Sequence, residues 1–239
     1  MDMSWPKGVL LDFYGTVVVE DSAVLVGVCE DIAWVGGSGV CAGEVAEYWW
    51  GLFPGLIELS NGEAFLSQVE IEILSLERVL EHFQVDLDAR ELLVPVFEYW
   101  KNPALWPEAR EVLAECEVPV CLVSNIDNFE LSAALANLDL HFDMVVTSEE
   151  CKAYKPHLAP FLRALELLGL EPHEVLHVGD SLSSDVRGAQ ALGIPVMWIN
   201  RNGRDLPDGY LPEYVSRDLS GILGNSVGLS VGSDWSDGF

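Results

Sequence analysis

Four short stretches place carboxylates, hydroxyls and an ammonium where apolar runs end. The first, residues 9–11, is Val-Leu-Leu and stops at Asp12, followed by Phe13, Tyr14, Gly15 and Thr16. A carboxylate in such a place can attack phosphorus or an activated carbon and form a covalent intermediate that water then opens. Asp180 and Asp185 flank a strand-to-helix turn. They look like a site for a hard cation such as Mg²⁺, which is held by one or two carboxylates together with substrate phosphate and water. Lys155 would neutralise negative charge on the intermediate, and the hydroxyls of Ser124 and Thr16 can donate to a phosphate oxygen. Each has a plainer reading when taken singly: a turn aspartate, an acid facing a helix dipole, a surface lysine, a turn serine.

The surrounding pattern brings these residues together. Apolar runs at 9–11, 118–123, 144–147, 175–178 and 195–199 read as buried strands, with a short strand-like piece near Tyr214 and Val215. Helical periodicity separates them, in helices at 107–113, 129–138, 157–168 and 186–192 and a weak helix up to Leu223. Strands alternating with helices predict a doubly wound parallel sheet. Parallel strands put Asp12, Ser124 and Asp180 on one rim, with Lys155 soon after the third strand. Ligands of open α/β sheets bind at that rim.

From about 19 to 100 the texture is different. Apolar residues recur at helical spacing, for example Phe65, Val69, Ile73, Leu76, Leu80 and Phe83, and the glycines at 36, 37, 39 and 62 break the runs. This segment reads as a helical subdomain inserted after the first strand. It holds 16 acidic residues, two arginines (Arg78 and Arg90) and no lysine. That balance would tolerate a substrate carrying an amine better than a second anion. Trp34, Trp49, Trp50, Phe53 and Trp100 could offer aromatic surface to a substrate, although packing of the subdomain accounts for most of them.

The whole chain carries a formal charge of −27 from 12 basic and 39 acidic residues over 239 positions. This argues against nucleic acid and anionic membrane surfaces as partners. Any phosphate must therefore be held by strong local groups. No apolar run reaches about 18 residues, the length that spans a bilayer. The start, MDMSWPKG, lacks the basic and apolar regions of a signal peptide. A cytoplasmic protein, monomer or homodimer, acting on a small molecule is expected. The five cysteines form no C-x-x-C pair, which supports neither a disulfide framework nor a zinc site.

In their order these residues resemble the haloacid dehalogenase (HAD) superfamily. The match is Asp12-x-x-Gly15-Thr16, Ser124-Asn125, Lys155-Pro156 and Gly179-Asp180-x-x-x-x-Asp185. The resemblance implies a Rossmann-like core, here 1–18 and 101–223, with a helical cap at 19–100; the tail at 224–239, rich in Gly and Ser, is expected to be flexible. The resemblance also implies an Asp nucleophile and Mg²⁺-dependent phosphate-ester hydrolysis. Asp12, Tyr14 and Lys155 would be catalytic, and Thr16, Ser124 and Asn125 would bind substrate. Asp12, Asp180, Asp185 and the Tyr14 backbone carbonyl would hold the metal.

Position 14 departs from the pattern. Phosphatases of the superfamily carry there an Asp that protonates the leaving group, whereas Asp-x-Tyr-Gly-Thr is similar to the metal-independent 2-haloacid dehalogenase branch. Against that branch stand the retained Gly179-Asp180 and Asp185, and the absence of any arginine between positions 1 and 77. The phosphonate-cleaving branch needs a cap lysine, and there is none. The expectation is a Mg²⁺-dependent hydrolase of a small phosphorylated metabolite. A 2-haloacid dehalogenase and a catalytically weakened ligand-binding relative are the alternatives.

Overall fold

A computed structural model describes residues 6–223 of the chain. The predicted flexible tail lies outside the described residues.

The chain opens with β1 (Gly8–Leu11), which is followed by five inserted α-helices: α1 (Ser22–Gly36), α2 (Ala42–Leu59), α3 (Gln68–Phe83), α4 (Ala89–Leu92) and α5 (Val94–Lys101). Next come α6 (Ala109–Glu115), β2 (Val120–Ser124), α7 (Asn128–Leu138), β3 (Met144–Thr147), α8 (Ser148–Cys151) and α9 (Leu158–Leu168). The chain continues through β4 (Val175–Gly179), α10 (Arg187–Gln190), β5 (Val196–Ile199) and β6 (Tyr214–Ser216).

All six strands are parallel, in the order β3-β2-β1-β4-β5-β6. β1 sits between β2 and β4, so Leu11 is level with Leu122 on one side and Val178 on the other. The residues just beyond those positions therefore share one rim. Alternation along each strand covers both faces of the sheet. Val9, Leu11, Leu122, Leu176 and Val178 pack toward α6 and α7, in a core that continues into the inserted helices. Leu10, Cys121, Val123, Val146 and Val196 pack toward α9 and α10.

The inserted helices fold back over the rim. α3 starts at a capping box in which Ser67 Oγ accepts the Glu70 N–H and Glu70 accepts the Ser67 N–H. Its first two N–H groups, from Gln68 and Val69, donate to the Asp127 carboxylate in the loop after β2, at 2.8 and 3.1 Å. The helix thus borrows part of its N-terminal cap from the sheet region, which satisfies groups no helix can satisfy internally. Nearby, the Gly62 N–H donates to the Lys152 carbonyl at 2.8 Å and the Tyr154 hydroxyl to the Leu66 carbonyl at 2.8 Å. The Phe65 ring stacks on that of Tyr154. Among the described residues, no helix is long and apolar enough to cross a membrane.

The helix expected at 186–192 is different. A π-turn occupies Leu182–Val186, and α10 is only one turn long. Ser181 Oγ caps this turn by accepting the Ser184 N–H. The wider π spacing accompanies an Asp185 that is turned inward, 1% exposed.

Candidate active site

Asp12 follows the last residue of β1, and its N–H donates to the Val178 carbonyl at 2.9 Å, which extends the ladder by one bond and fixes the residue. Its side chain is buried. Oδ1 accepts from Lys155 Nζ at 2.7 Å, and Oδ2 has no hydrogen-bond partner. Lys155 is 2% exposed and directs all three N–H bonds inward: to Asp12 Oδ1, to the Val123 carbonyl at 2.8 Å and to Asp185 Oδ1 at 2.6 Å. An ammonium has three donors, so this one is saturated. It acts as a fixed charge between the ends of β1, β2 and β4.

Asp185 is held from all sides. Besides Lys155, its Oδ1 lies 3.0 Å from His177 Nε2, and its Oδ2 accepts the Ser181 N–H at 3.0 Å. Burial opposes its ionisation, but Lys155 and the His177 contact overcome that and hold the carboxyl below the usual carboxylate range. Asp180 is placed differently. Its backbone carbonyl accepts Trp198 Nε1 at 2.9 Å and Arg204 Nη2 at 3.1 Å, and its Oδ1 accepts a long bond from Thr16 Oγ1 at 3.3 Å. Burial, with the charges of Asp12 and Asp185 added, pushes its carboxyl well above the ordinary range. Asp12 is raised too, by burial first, with Lys155 opposing and Asp185 adding.

The motif glycines make room for these acids. Gly15 adopts φ +89°, and a Cβ there would lie 2.6 Å from the Asp180 carboxylate. A Cβ on Gly179 would lie 2.3 Å from Asp185 Cγ. Any side chain at either position would displace a carboxylate.

Carboxylate oxygens of Asp12, Asp180 and Asp185 lie within 4.8 Å of one another. One ammonium faces these three acids, so the site is short of positive charge, and the unpartnered Asp12 Oδ2 is an orphaned buried acceptor. The shortage of positive charge fits a divalent cation bound by Asp12 and Asp180. Asp185, whose two oxygens are already engaged, fits better as the group that holds Lys155. The Tyr14 carbonyl accepts no hydrogen bond among the described residues.

The remaining predicted residues divide. The Ser124 hydroxyl, at the end of β2, engages no group among the described residues. Asn125 is occupied: Oδ1 accepts the Lys155 N–H at 2.7 Å and Nδ2 donates to the Lys155 carbonyl at 3.0 Å. The Tyr14 side chain packs edge-on against Phe13, and its hydroxyl donates to the Trp100 carbonyl. Burial, then the charges of Asp21 and Glu130, raise that phenol above its ordinary value.

Sequence reasoning passed over His177, Asp127, Arg201 and Arg204. His177 is a fully buried polar residue in an otherwise apolar strand, and that incongruity was the available signal. Arg201 stacks over Trp106, pairs with Glu108 at 2.7 Å and donates to the Thr16 carbonyl at 2.8 Å, so it ties the loop after β5 to the loop after β1. A cavity of about 260 Å³ opens beside the rim under the inserted helices, lined in part by Tyr14, Glu20, Asp21, Trp50, Trp100 and Asn125.

A family model described as haloacid dehalogenase-like hydrolase matches residues 6–193. The chain is 30% identical over 190 residues to haloacid dehalogenase-like hydrolase domain-containing protein 3 of Xenopus laevis, covering 74% of this chain and 78% of that one. It is 34% identical over 140 residues to the phosphoserine phosphatase of Thermus thermophilus, covering 56% of each chain, so that match spans little more than half of the relative. Among solved structures, the L-2-haloacid dehalogenase RSc1362 superposes with a TM-score of 0.77 at 19% identity, over 92% of this chain and 98% of that one, a likeness of fold. A sheet with Asp12 at its rim beside Lys155, and a family match reaching through both the inserted helices and the last acidic motif, lead to one conclusion: the chain belongs to the haloacid dehalogenase-like hydrolases.

Proposed function

We propose that the protein is a Mg²⁺-dependent phosphohydrolase that works through an aspartyl-phosphate on Asp12. The observation that carries this reading is the unpartnered Asp12 Oδ2, buried beside the carboxylate of Asp180 while Lys155 occupies Oδ1. Asp12 and Asp180 would hold the cation, which when bound supplies positive charge against the phosphoryl oxygens. Lys155 fixes the rotamer of Asp12 and leaves Oδ2 as the attacking atom. Oδ2 bonds to phosphorus, and the bond to the leaving oxygen breaks with its electron pair. Water then attacks the phosphorus and releases phosphate, returning Asp12 to its carboxylate. Ser124 has a free hydroxyl to donate to a phosphoryl oxygen.

Tyr14 supplies no proton in this scheme, since its hydroxyl faces the Trp100 carbonyl and burial keeps the phenol protonated. Substrates whose leaving group needs little protonation, acyl or aryl phosphates, are favoured over alkyl phosphates. General acid help is worth about 10²–10⁴-fold, so the contrast is large. The test compares an aryl phosphate with an alkyl phosphate, with and without chelator. Expected are Mg²⁺-dependent turnover of the aryl ester and a rise in alkyl-ester turnover in Tyr14→Asp. Tyr14 also keeps a second reading, a 2-haloacid dehalogenase. Halide release from 2-chloropropionate that survives chelator would establish it in place of the first. Binding of Mg²⁺ and phosphate mimics without turnover of any activated ester would mark the weakened relative instead.

A further inference from the structure

The cavity beside the rim has a one-sided chemistry. Two carboxylates, Glu20 and Asp21, line it, and among the described residues no lysine, arginine or histidine does. Asp21 stands at the N-cap of α1, where an aspartate ordinarily accepts backbone N–H groups. Here it makes no such bond, and its Oδ2 accepts Trp100 Nε1 at 2.7 Å. The carboxylate is therefore directed to the cavity wall by an indole that itself lines the cavity. Behind Gln68, another lining residue, lies Glu72. It is 3% exposed, its Oε1 takes the Gln68 amide in a long contact of 3.4 Å, and its Oε2 has no partner. Burial and then the nearby charge of Asp21 raise the Glu72 carboxyl. Burial also raises Asp21; the Trp100 N–H partly offsets this, and Glu20 adds to it. Among the described residues no cation lines this wall. The aromatic rings of Tyr14, Trp50 and Trp100 complete it.

Acids without a counter-charge beside aromatic rings are the surroundings that bind an ammonium group, through Coulomb attraction and cation–π contact together. We propose that the cavity receives the leaving group of the substrate and that this leaving group carries an ammonium, so the substrate class is a phosphate ester of an amino-substituted alcohol or phenol. The proposal rests on the phosphohydrolase reading. It also agrees with the absence of an acid at position 14, because a nearby ammonium makes an oxyanion a better leaving group.

Three aryl esters separate the two ideas: 4-(aminomethyl)phenyl phosphate, 4-methylphenyl phosphate and 4-(carboxymethyl)phenyl phosphate, each assayed with Mg²⁺. The binding of the three corresponding phenols is measured in parallel by calorimetry. The expected order of kcat/KM and of phenol affinity is ammonium, methyl, carboxylate, with about a tenfold step from methyl to ammonium. Asp21→Asn keeps an acceptor for Trp100 Nε1 and should erase most of that step through KM. Trp50→Leu, at a half-exposed position, should reduce it independently if Asp21→Asn does not fold. Equal kcat/KM for the three esters overturns the ammonium subsite and leaves the phosphohydrolase standing. No turnover of any ester, with the phenol order intact, overturns the phosphohydrolase and retains the subsite. Equal phenol affinities without turnover overturn both.

Discussion

Asn125 grips the backbone of Lys155 on both sides of its Cα, accepting the N–H at 2.7 Å on Oδ1 and donating to the carbonyl at 3.0 Å from Nδ2. The two residues stand 30 positions apart, and the pair of bonds sets where the lysine leaves the backbone. The resemblance assigned Asn125 to substrate. Its geometry makes it the residue that positions the ammonium facing Asp12.

Asn125→Ala should therefore lower stability by about 1–3 kcal/mol, the sum expected for two partly buried hydrogen bonds. It should also lower kcat more than KM. Urea unfolding together with steady-state kinetics on an aryl phosphate checks both. Asn125→Asp, which keeps only the acceptor, should fall between.

Gly179→Ala places a Cβ 2.3 Å from Asp185 Cγ. Asp185 must then move, and Lys155 loses its partner at 2.6 Å. A displacement of about 1 Å in such a constellation costs about 100-fold in rate. The expected outcome is a drop of that size in kcat with weakened Mg²⁺ binding by calorimetry. Unchanged kinetics would mean that Asp185 does not hold Lys155 in place.

Glu72 makes stability depend on pH. Burial raises its folded pKa above the 4.5 of a free glutamate, so the folded chain keeps a proton that the unfolded chain has lost. Stability from this residue is full below about pH 4.5 and falls as pH rises through the folded value. Glu72→Gln mimics the protonated side chain. It should raise the urea midpoint at pH 8, and the gain should vanish at pH 4. A gain that is the same at both pH values would assign the effect to packing.

Asp127→Ala removes the acceptor for the first two N–H groups of α3. The loss of such a cap costs about 1–2 kcal/mol. Because the acceptor belongs to the sheet region and the donors to the inserted helices, the cost should appear as easier separation of the two. Hydrogen exchange at Gln68 and Val69 should speed up more than exchange in β1, measured by NMR or mass spectrometry.

The sequence by itself was enough for the sheet. Strands buried on both faces read as continuous apolar runs, and their ends are abrupt, so Asp12, Ser124 and Asp180 could be placed on one rim from local pattern alone. The two motif glycines were visible for the same reason, as small residues beside acids. The tertiary structure decided what pattern cannot carry, namely which atom meets which across long stretches of chain. The Tyr14 hydroxyl ends on a carbonyl 86 positions away. His177 looked like one more strand residue until folding brought Asp185 onto it. The acids of the inserted segment could be counted from the sequence, but only packing put Asp21 and Glu20 on the wall of one cavity and left Glu72 buried behind it. A net charge states a balance, whereas a binding site depends on where the uncompensated charges converge and what shields them from water.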